Sequence, residues 1–307
     1  MMKCVTIGSR GSRLAVLQAE SVLARLKQAN PDVKFSLSKI TTGGDRQKTV
    51  PLHRISGYGV FVKEVQEALL DGRIDLAVHS LKDLPVQIPH RLSLAAVTER
   101  LDPRDVLVSL GSKLNELAPD SAVGTGSPRR TAQLLACRSD LKVQGIRGNI
   151  DTRLRKVSNG EVDAVIVAAA AMIRLGWEDR ITEYLPLDLF LPAVGQGALG
   201  IEIRADDREM LTLVQPLNHE PTWQSVVAER TFLHALGGGC RAPIAALGTI
   251  SGGALMLQGM VISASGSRIL RATEGGSAIA PQQVGTRLAQ RMLEMGASQF
   301  IMEAGVQ

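Results

Sequence analysis

Aromatic side chains are scarce in this chain. Two Trp, two Tyr and five Phe make up 3% of its 307 residues, and they are scattered. Single-stranded nucleic acid is held by stacking bases on aromatic faces, so the scarcity argues against a platform of that kind. Cysteine is scarcer still. Cys4, Cys137 and Cys240 are odd in number and far apart, with no CxxC pair. That excludes a disulfide framework and argues against a cysteine zinc site, and no metal is expected. No apolar run is long enough to span a membrane, and the opening MMKCVTIGSRGSR lacks the apolar middle of a signal peptide. A soluble cytoplasmic protein without a membrane partner is expected. P-loop, HExxH and blocks of consecutive basic residues are also missing.

What is present is an aliphatic chain with an excess of arginine. Hydrophobic residues make up 45%, mostly Ala, Val, Leu and Ile. The length suggests two or three domains and allows a large core without covalent staples. The net charge is +5, and 25 of the 35 basic residues are Arg. The planar guanidinium fork binds carboxylates and phosphates through two parallel hydrogen bonds. Charge alone also allows a solvated basic surface or a nucleic-acid partner.

The pattern along the chain predicts a repeated α/β plan. Val5–Ile7 reads as a strand, residues 8–12 as a turn, and residues 13–28 as a helix with Ser12 as N-cap and Leu14, Leu17, Val22 and Leu26 on its apolar stripe. Phe35–Ile40 reads as a strand, Phe61–Leu70 as a helix and Ile74–Val78 as a buried strand. The plan then recurs. Ala122-Val123 leads into GTGSPRR and a helix through Cys137, with Ser127 as N-cap and Pro128 at the first helical position. NGEVDAVIVAAAA (Asn159–Ala171) echoes DGRIDLAVHSLKD (Asp71–Asp83); both read Gly-x-apolar-Asp before an apolar strand. Two similar α/β domains with mostly parallel sheets follow, with ligands at the carboxyl ends of the strands and in a cleft between the domains. From about residue 216 the pattern changes to a helix over Ser225–Leu236, strand-like runs with turns at Gly252-Gly253 and Ser265-Gly266, and a last helix over Gln282–Met295.

Several groups of residues carry chemistry. GQGALG (Gly195–Gly200) has the spacing of a dinucleotide loop, but Ile201-Glu202-Ile203 alternates like a strand where that fingerprint needs a helix. Arginines gather at turns: Arg10, Arg129, Arg130, Arg147, Arg153 and Arg174. Helix N-termini already attract anions, and guanidinium forks there make a carboxylate or phosphate site; the plainer reading is capping and surface pairing. Lys82 and Asp83 follow a buried strand, where a lone carboxylate among cations can balance a developing positive charge or move a proton. Cys4 and Cys137 fall in apolar periodic segments and read as inert core thiols. Cys240 sits in GGGCR, where Arg241 favours the thiolate; a reactive or ligand-carrying thiol and a buried structural one both remain open.

VHSLKDLP, VGTGSPRR, IRGNIDTRL, LPAVGQGALGIE and GGGCRAPI, in that order, resemble the porphobilinogen deaminase (hydroxymethylbilane synthase) family, from Gly8 to the last helix. The resemblance implies two similar periplasmic-binding-protein-like domains with a central cleft, residues 1–98 (with 198–215 returning) and 103–192. It adds a smaller C-terminal α+β domain, 218–307, which carries the cofactor. It implies that four porphobilinogen molecules are deaminated and joined head to tail into the linear tetrapyrrole hydroxymethylbilane, by a cytoplasmic monomer. The implied cofactor is dipyrromethane, made from substrate and held by a thioether to the loop cysteine that Cys240 matches. Asp83 matches the catalytic aspartate. Lys82, Ser80, Thr125, Ser127, Arg129, Arg130, Arg147 and Asp45 match cofactor contacts, and Arg10, Ser12, Arg153 and Arg174 match positions that hold acetate and propionate groups of the growing chain.

The chain departs from the family pattern in places. Tyr58 stands for a lysine in SGYG, Gly43 for a base in TGGD, Gly126 and Pro128 alter the SSLRR turn, Arg241 replaces glutamine and Arg13 replaces proline. A binding protein for an acidic small molecule is the competing reading, but pure binding needs neither Lys82-Asp83 nor the loop cysteine.

Overall fold

The computed structural model describes residues 4–43, 62–238 and 242–303. Its strands, in chain order, are β1 (Cys4–Arg10), β2 (Lys34–Ile40), β3 (Leu76–Ser80), β4 (Leu92–Val97), β5 (Asp105–Ser109), β6 (Ala122–Gly124), β7 (Lys142–Gln144), β8 (Ala164–Ala168), β9 (Glu183–Tyr184), β10 (Leu199–Arg204), β11 (Ile244–Ser251), β12 (Ala254–Ile262) and β13 (Ile269–Ser277). They form three sheets, ordered β2-β1-β3-β10-β4, β7-β6-β8-β5-β9 and β11-β12-β13. The first two share one topology. Three parallel strands lie side by side, and β10 or β5 runs against its neighbours.

The sequence echo has a physical basis. Asp75 accepts a hydrogen bond from the Thr6 amide at 2.8 Å, and Asp163 accepts one from the Ala122 amide at 2.7 Å. In each half the carboxylate pins the turn before one strand to the start of its neighbour. Gly72 and Gly160 supply the left-handed turns just before, at φ +71° and +69°.

Helices follow the carboxyl ends of the strands. Arg13–Ala29 is capped by Ser12, whose hydroxyl accepts from the Ala15 amide at 3.3 Å. Its buried face is Gln18, Ala19, Val22 and Leu26, so a glutamine takes the place expected for Leu17. Helix Pro128–Cys137 is capped by Ser127, as expected. The strand expected at Ile74–Val78 begins two residues later. The run AVIVAAAA divides, with β8 ending at Ala168 and a helix occupying Ala169–Leu175. Alanine favours helix once the β-branched residues end.

The C-terminal sheet is an antiparallel meander. Gly252 and Gly253, at φ +55° and +80°, form the two-residue hairpin turn. Helix Glu220–Ala235 starts more than a turn earlier than the pattern predicts, and Ala297–Glu303 adds a final helix that the pattern did not foretell. Cys4 is exposed rather than in the core: β1 alternates, and its first residue faces solvent beyond the point where β3 pairs with it.

Two compact units make up the chain. Of the described residues, one holds 4–43, 62–101 and Gly197–Trp223. The other holds Asp102–Gln196, 224–238 and 242–303, so the third sheet groups with the second. Ala132 and Leu191 pack with Ala245, Leu247, Met260 and Ile262 in one apolar cluster, which accounts for that grouping.

Candidate active site

The first unit places one set of predicted residues at the carboxyl edge of its parallel strands. Arg10 ends β1, Ser12 caps the next helix, Ser80 ends β3, and Lys82 and Asp83 lie in the 3-10 turn Leu81–Asp83. The turn is held by Leu81, which is 1% exposed and whose amide donates to the Ala198 carbonyl at 3.1 Å. A single cavity is lined by Arg10, Ser12, Gln18, His79, Ser80 and Asp83 among others. Lys82 and Asp83 are half-buried. Gln18, buried in the helix face, accepts a hydrogen bond from the Ser80 hydroxyl at 3.0 Å. Asp45 lies outside the described residues, as does Tyr58. Gly43 is described, and its amide donates to Glu64.

The second unit carries the other set of predicted residues, in the turns and helices after its parallel strands. Thr125 and Ser127 sit in the turn after β6, Arg147 follows β7, Arg153 lies on helix Ile150–Ser158, and Arg174 ends the helix after β8. The Thr125 hydroxyl accepts from the Ser127 amide at 3.2 Å, and the Arg153 Nε donates to the Gly148 carbonyl at 2.9 Å. A Cβ at Gly126 would lie 2.8 Å from the Ile146 carbonyl oxygen, so the departure from the family serine suits the close approach of these two loops. Burial pushes the Arg174 guanidinium down to about 10, leaving it charged at neutral pH but poorly solvated.

Arg129 and Arg130 are buried, at 4% and 5% exposure, and share Asp105, which is fully buried. Arg129 Nη1 donates to Asp105 Oδ2 at 2.8 Å and to the Leu191 carbonyl at 2.7 Å. Arg130 donates to Asp105 Oδ1 through Nε and Nη2, at 3.0 and 2.6 Å, and through Nη1 to the Ile166 carbonyl. Burial works to raise the Asp105 carboxyl, but the two guanidiniums outweigh it and hold it far below the ordinary range. Burial lowers the Arg129 guanidinium. Two cations against one carboxylate leave one positive charge at the start of a helix, where the helix dipole adds to it. The forks are thereby fixed in direction before any ligand arrives.

Sequence reasoning missed Asp105, Gln196, Glu229 and the buried trio Gln66, His79 and Glu202. Gln196 donates to Asp105 Oδ1 at 2.9 Å, and Glu229 accepts from the Gly195 and Gly248 amides at 2.7 and 2.9 Å. Asp105 in DVLVS and Glu202 in LGIEIR are lone acids inside apolar strands. That was a legible sign that partners were needed. GQG itself is a turn that leads into β10, consistent with rejecting a dinucleotide loop.

Cys240 and Arg241 lie outside the described residues. The two preceding glycines that are described have local tasks. Gly237, at φ +66°, ends the helix, with its amide and that of Gly238 donating to the His234 and Leu233 carbonyls at 2.9 and 3.0 Å. A Cβ on Gly238 would meet Ile244 Cδ1 at 2.4 Å. Cys137 is half-buried, and burial raises its thiol, as fits an inert side chain. Among the described residues no group of His, Cys, Asp and Glu could hold a metal ion, and no helix is long and apolar enough to cross a membrane.

Comparison with known proteins bears on this arrangement. Residues 5–212 match the family described as porphobilinogen deaminase, dipyromethane cofactor binding domain, and residues 223–294 match its C-terminal domain. The chain is 48% identical over 302 residues to a porphobilinogen deaminase of Desulforudis audaxviator, covering 98% of both chains. It is 46% identical over 301 residues to that of Alkaliphilus metalliredigens, covering 98% of this chain and 95% of the other. Among solved structures it is similar to the aliphatic sulphonate binding protein SsuA of Escherichia coli, at TM-score 0.41 and 16% identity, over 76% of this chain and 71% of that one. It is also similar to the BenM effector binding domain, at TM-score 0.42 and 17% identity, over 71% and 91%.

Proposed function

The chain belongs to the porphobilinogen deaminase family, and from that premise we infer how its two carboxyl-edge clusters divide the work. Porphobilinogen is the substrate and dipyrromethane the cofactor; the product is hydroxymethylbilane. Asp83 is the catalytic residue. When the aminomethyl group of porphobilinogen leaves as ammonia, the pyrrole nitrogen becomes positive, and the Asp83 carboxylate balances that charge. Arg10 and Ser12, on the same cavity, hold substrate carboxylates. The observation that carries this reading is that cavity, which gathers Arg10, Ser12, Ser80 and Asp83 at one strand edge.

The second cluster suits a polycarboxylate. Each pyrrole brings two carboxylates, and the second unit carries Arg129 and Arg130 in the helix after β6, Arg147 after β7, Arg153 in the next helix and Arg174 in the helix after β8, with the Thr125 and Ser127 hydroxyls in the turn after β6. These residues, with Lys82 and Ser80, would hold the dipyrromethane, and Asp45 is assigned beside them. Cys240 would bind it through a thioether. The cofactor supplies the pyrrole end on which the chain grows. The three sheets support a division into residues 1–98 with 198–215, 103–192 and 218–307. We read the protein as a cytoplasmic monomer without a nucleic-acid partner; an odd cysteine count suits a reducing compartment, and the few scattered aromatics leave no stacking platform.

The deciding experiment is the intact mass of the purified protein beside Cys240→Ser. The expected result is an excess equal to two linked pyrroles that survives thiol reductant and is missing from the variant. A parent protein that stays unmodified even after incubation with porphobilinogen would overturn the cofactor assignment. Asp83→Ala should fold and lose nearly all tetrapyrrole synthesis, and near-normal turnover would remove Asp83 from its role.

A further inference from the structure

The two edges of the third sheet are closed by different means. On β11 the Ala246 amide donates to the Pro192 carbonyl at 3.2 Å, and the Gly248 amide to the buried Glu229 at 2.9 Å. On β13, the other end of the sheet, the outward groups follow from the register. The Ser263 amide donates to the Arg268 carbonyl at 2.9 Å before the strand, and the Ala278 amide to the Gly253 carbonyl at 3.0 Å after it. Antiparallel pairing alternates between those two points, so Ile269, Arg271, Thr273, Gly275 and Ser277 turn their amides and carbonyls away from β12. Exposed side chains meet two of those carbonyls. Arg291 Nη1 donates to the Thr273 carbonyl at 3.2 Å, and Arg287 Nη2 to the Gly275 carbonyl at 2.9 Å. Arg287 Nε is held by Glu274 at 2.9 Å. The Ser277 carbonyl accepts from the Ala280 amide at 3.1 Å. The arginines lie one turn apart on helix Pro281–Glu294, a rise of about 6 Å, which matches the step of about 6.7 Å between alternate strand residues.

We propose that Arg287 and Arg291 guard this edge against strand addition, and that the edge they close fits β13 of a second copy of the chain. An exposed strand edge invites another strand, and charge on the edge is a means of refusing it. The strand is self-complementary. An antiparallel pair about a two-fold axis at Thr273 sets Ile269 opposite Ser277, Leu270 opposite Gly276, Arg271 opposite Gly275 and Ala272 opposite Glu274. The outward residues of one copy then face the outward residues of the other, so their amides and carbonyls can pair. No charge faces its own sign. The two sheets would run on as one, as in strand addition generally. With both guanidiniums in place, an arriving strand must displace a charged donor from each of two carbonyls that it needs, and must desolvate both charges. The bonds themselves are exposed and add little to stability, so removing them should open the edge without unfolding the domain. The proposal does not rest on the deaminase reading, because its readout is assembly and not turnover.

Sedimentation velocity of the double variant Arg287→Ala, Arg291→Ala beside the parent tests this. The parent should keep one mass at every concentration. The weight-average mass of the variant should rise by roughly 1.5-fold at about 100 μM, as for a small, weak contact. Adding Thr273→Pro should return the variant to the parental mass, because proline removes the outward amide at the centre of the pair and is tolerated on an edge strand. A double variant of parental mass throughout would overturn the proposal. Association that survives Thr273→Pro would do the same, since the contact would then lie on another face. A parent whose own mass rises, and falls again with Thr273→Pro, would show an edge that the arginines leave open, and would also sink the idea. If the double variant does not fold, the single alanine variants decide. Each should associate at the highest concentration, and parental mass in both would remove the guard role.

Discussion

Asp105 shows how much one side chain can determine. It is the shared counter-ion of Arg129 and Arg130 and also accepts from Gln196. Removing one member of a buried ion pair leaves an uncompensated charge, at a cost of about 3–5 kcal/mol. Asp105→Asn should therefore unfold at clearly lower urea concentration than the parent, and a midpoint within error of the parent would show that the arginines find other partners. The carboxyl is held far below its ordinary value near 3.8. A depressed folded-state value means that its contribution is fully present above the unfolded value and declines as pH falls toward the folded one. Thermal scans of the parent should thus lose stability below about pH 4, and Asp105→Asn should show a weaker dependence over that window.

At the scale of elements, the turn between Gln196 and Leu199 is set by backbone geometry. Gly197 has φ +94°, and a Cβ there would lie 2.4 Å from the Leu101 carbonyl oxygen. Gly197→Ala meets both strain and a backbone clash, and should cost about 1–3 kcal/mol in urea unfolding. A loss under about 0.5 kcal/mol would mean that the turn relaxes freely. Helix Pro128–Cys137 starts by a different device. Ser127 supplies the cap and Pro128 a preset φ, so the helix begins where Arg129 and Arg130 can reach Asp105. Ser127→Ala should cost about 1 kcal/mol of stability. It should also lower cofactor retention, read by intact mass, if the hydroxyl is a ligand as proposed; full retention would reduce Ser127 to a cap.

At the scale of the molecule, the excess of arginine divides by place. Arg208 is exposed at the start of a short helix in the first unit, whereas Arg130 is buried in the second. Arg208→Ala should keep the full pyrrole mass excess and parental turnover. Arg130→Ala should lose most of both, and Arg130→Lys should recover stability better than it recovers turnover, because an ammonium keeps charge without the fork. Equal effects of the two alanine substitutions would show that position at the strand edge confers nothing. The two sheets share one strand order; Asp83 follows a strand of the first, and the buried pair Arg129 and Arg130 follows a strand of the second.

Much of this was legible in the sequence. Local rules act over a few residues, so Ser12 and Ser127 as caps, the Gly252-Gly253 hairpin and the Gly-x-apolar-Asp repeat could be read directly, and the ordered motifs identified the family. Other features depended on residues far apart in the chain. Asp105 meets Arg129 and Arg130, and Glu202 meets Gln66 and His79, across separations of 24 to 136 residues. Gln18, on its helix, fills the place expected for Leu17 because Ser80, at the end of β3, gives its amide oxygen a partner. Periodicity reports which face of an element turns inward. Which polar groups meet there, and so which charges can be buried, is decided only when the sheets assemble, because a buried polar atom needs a partner at hydrogen-bond distance and the local sequence does not contain it.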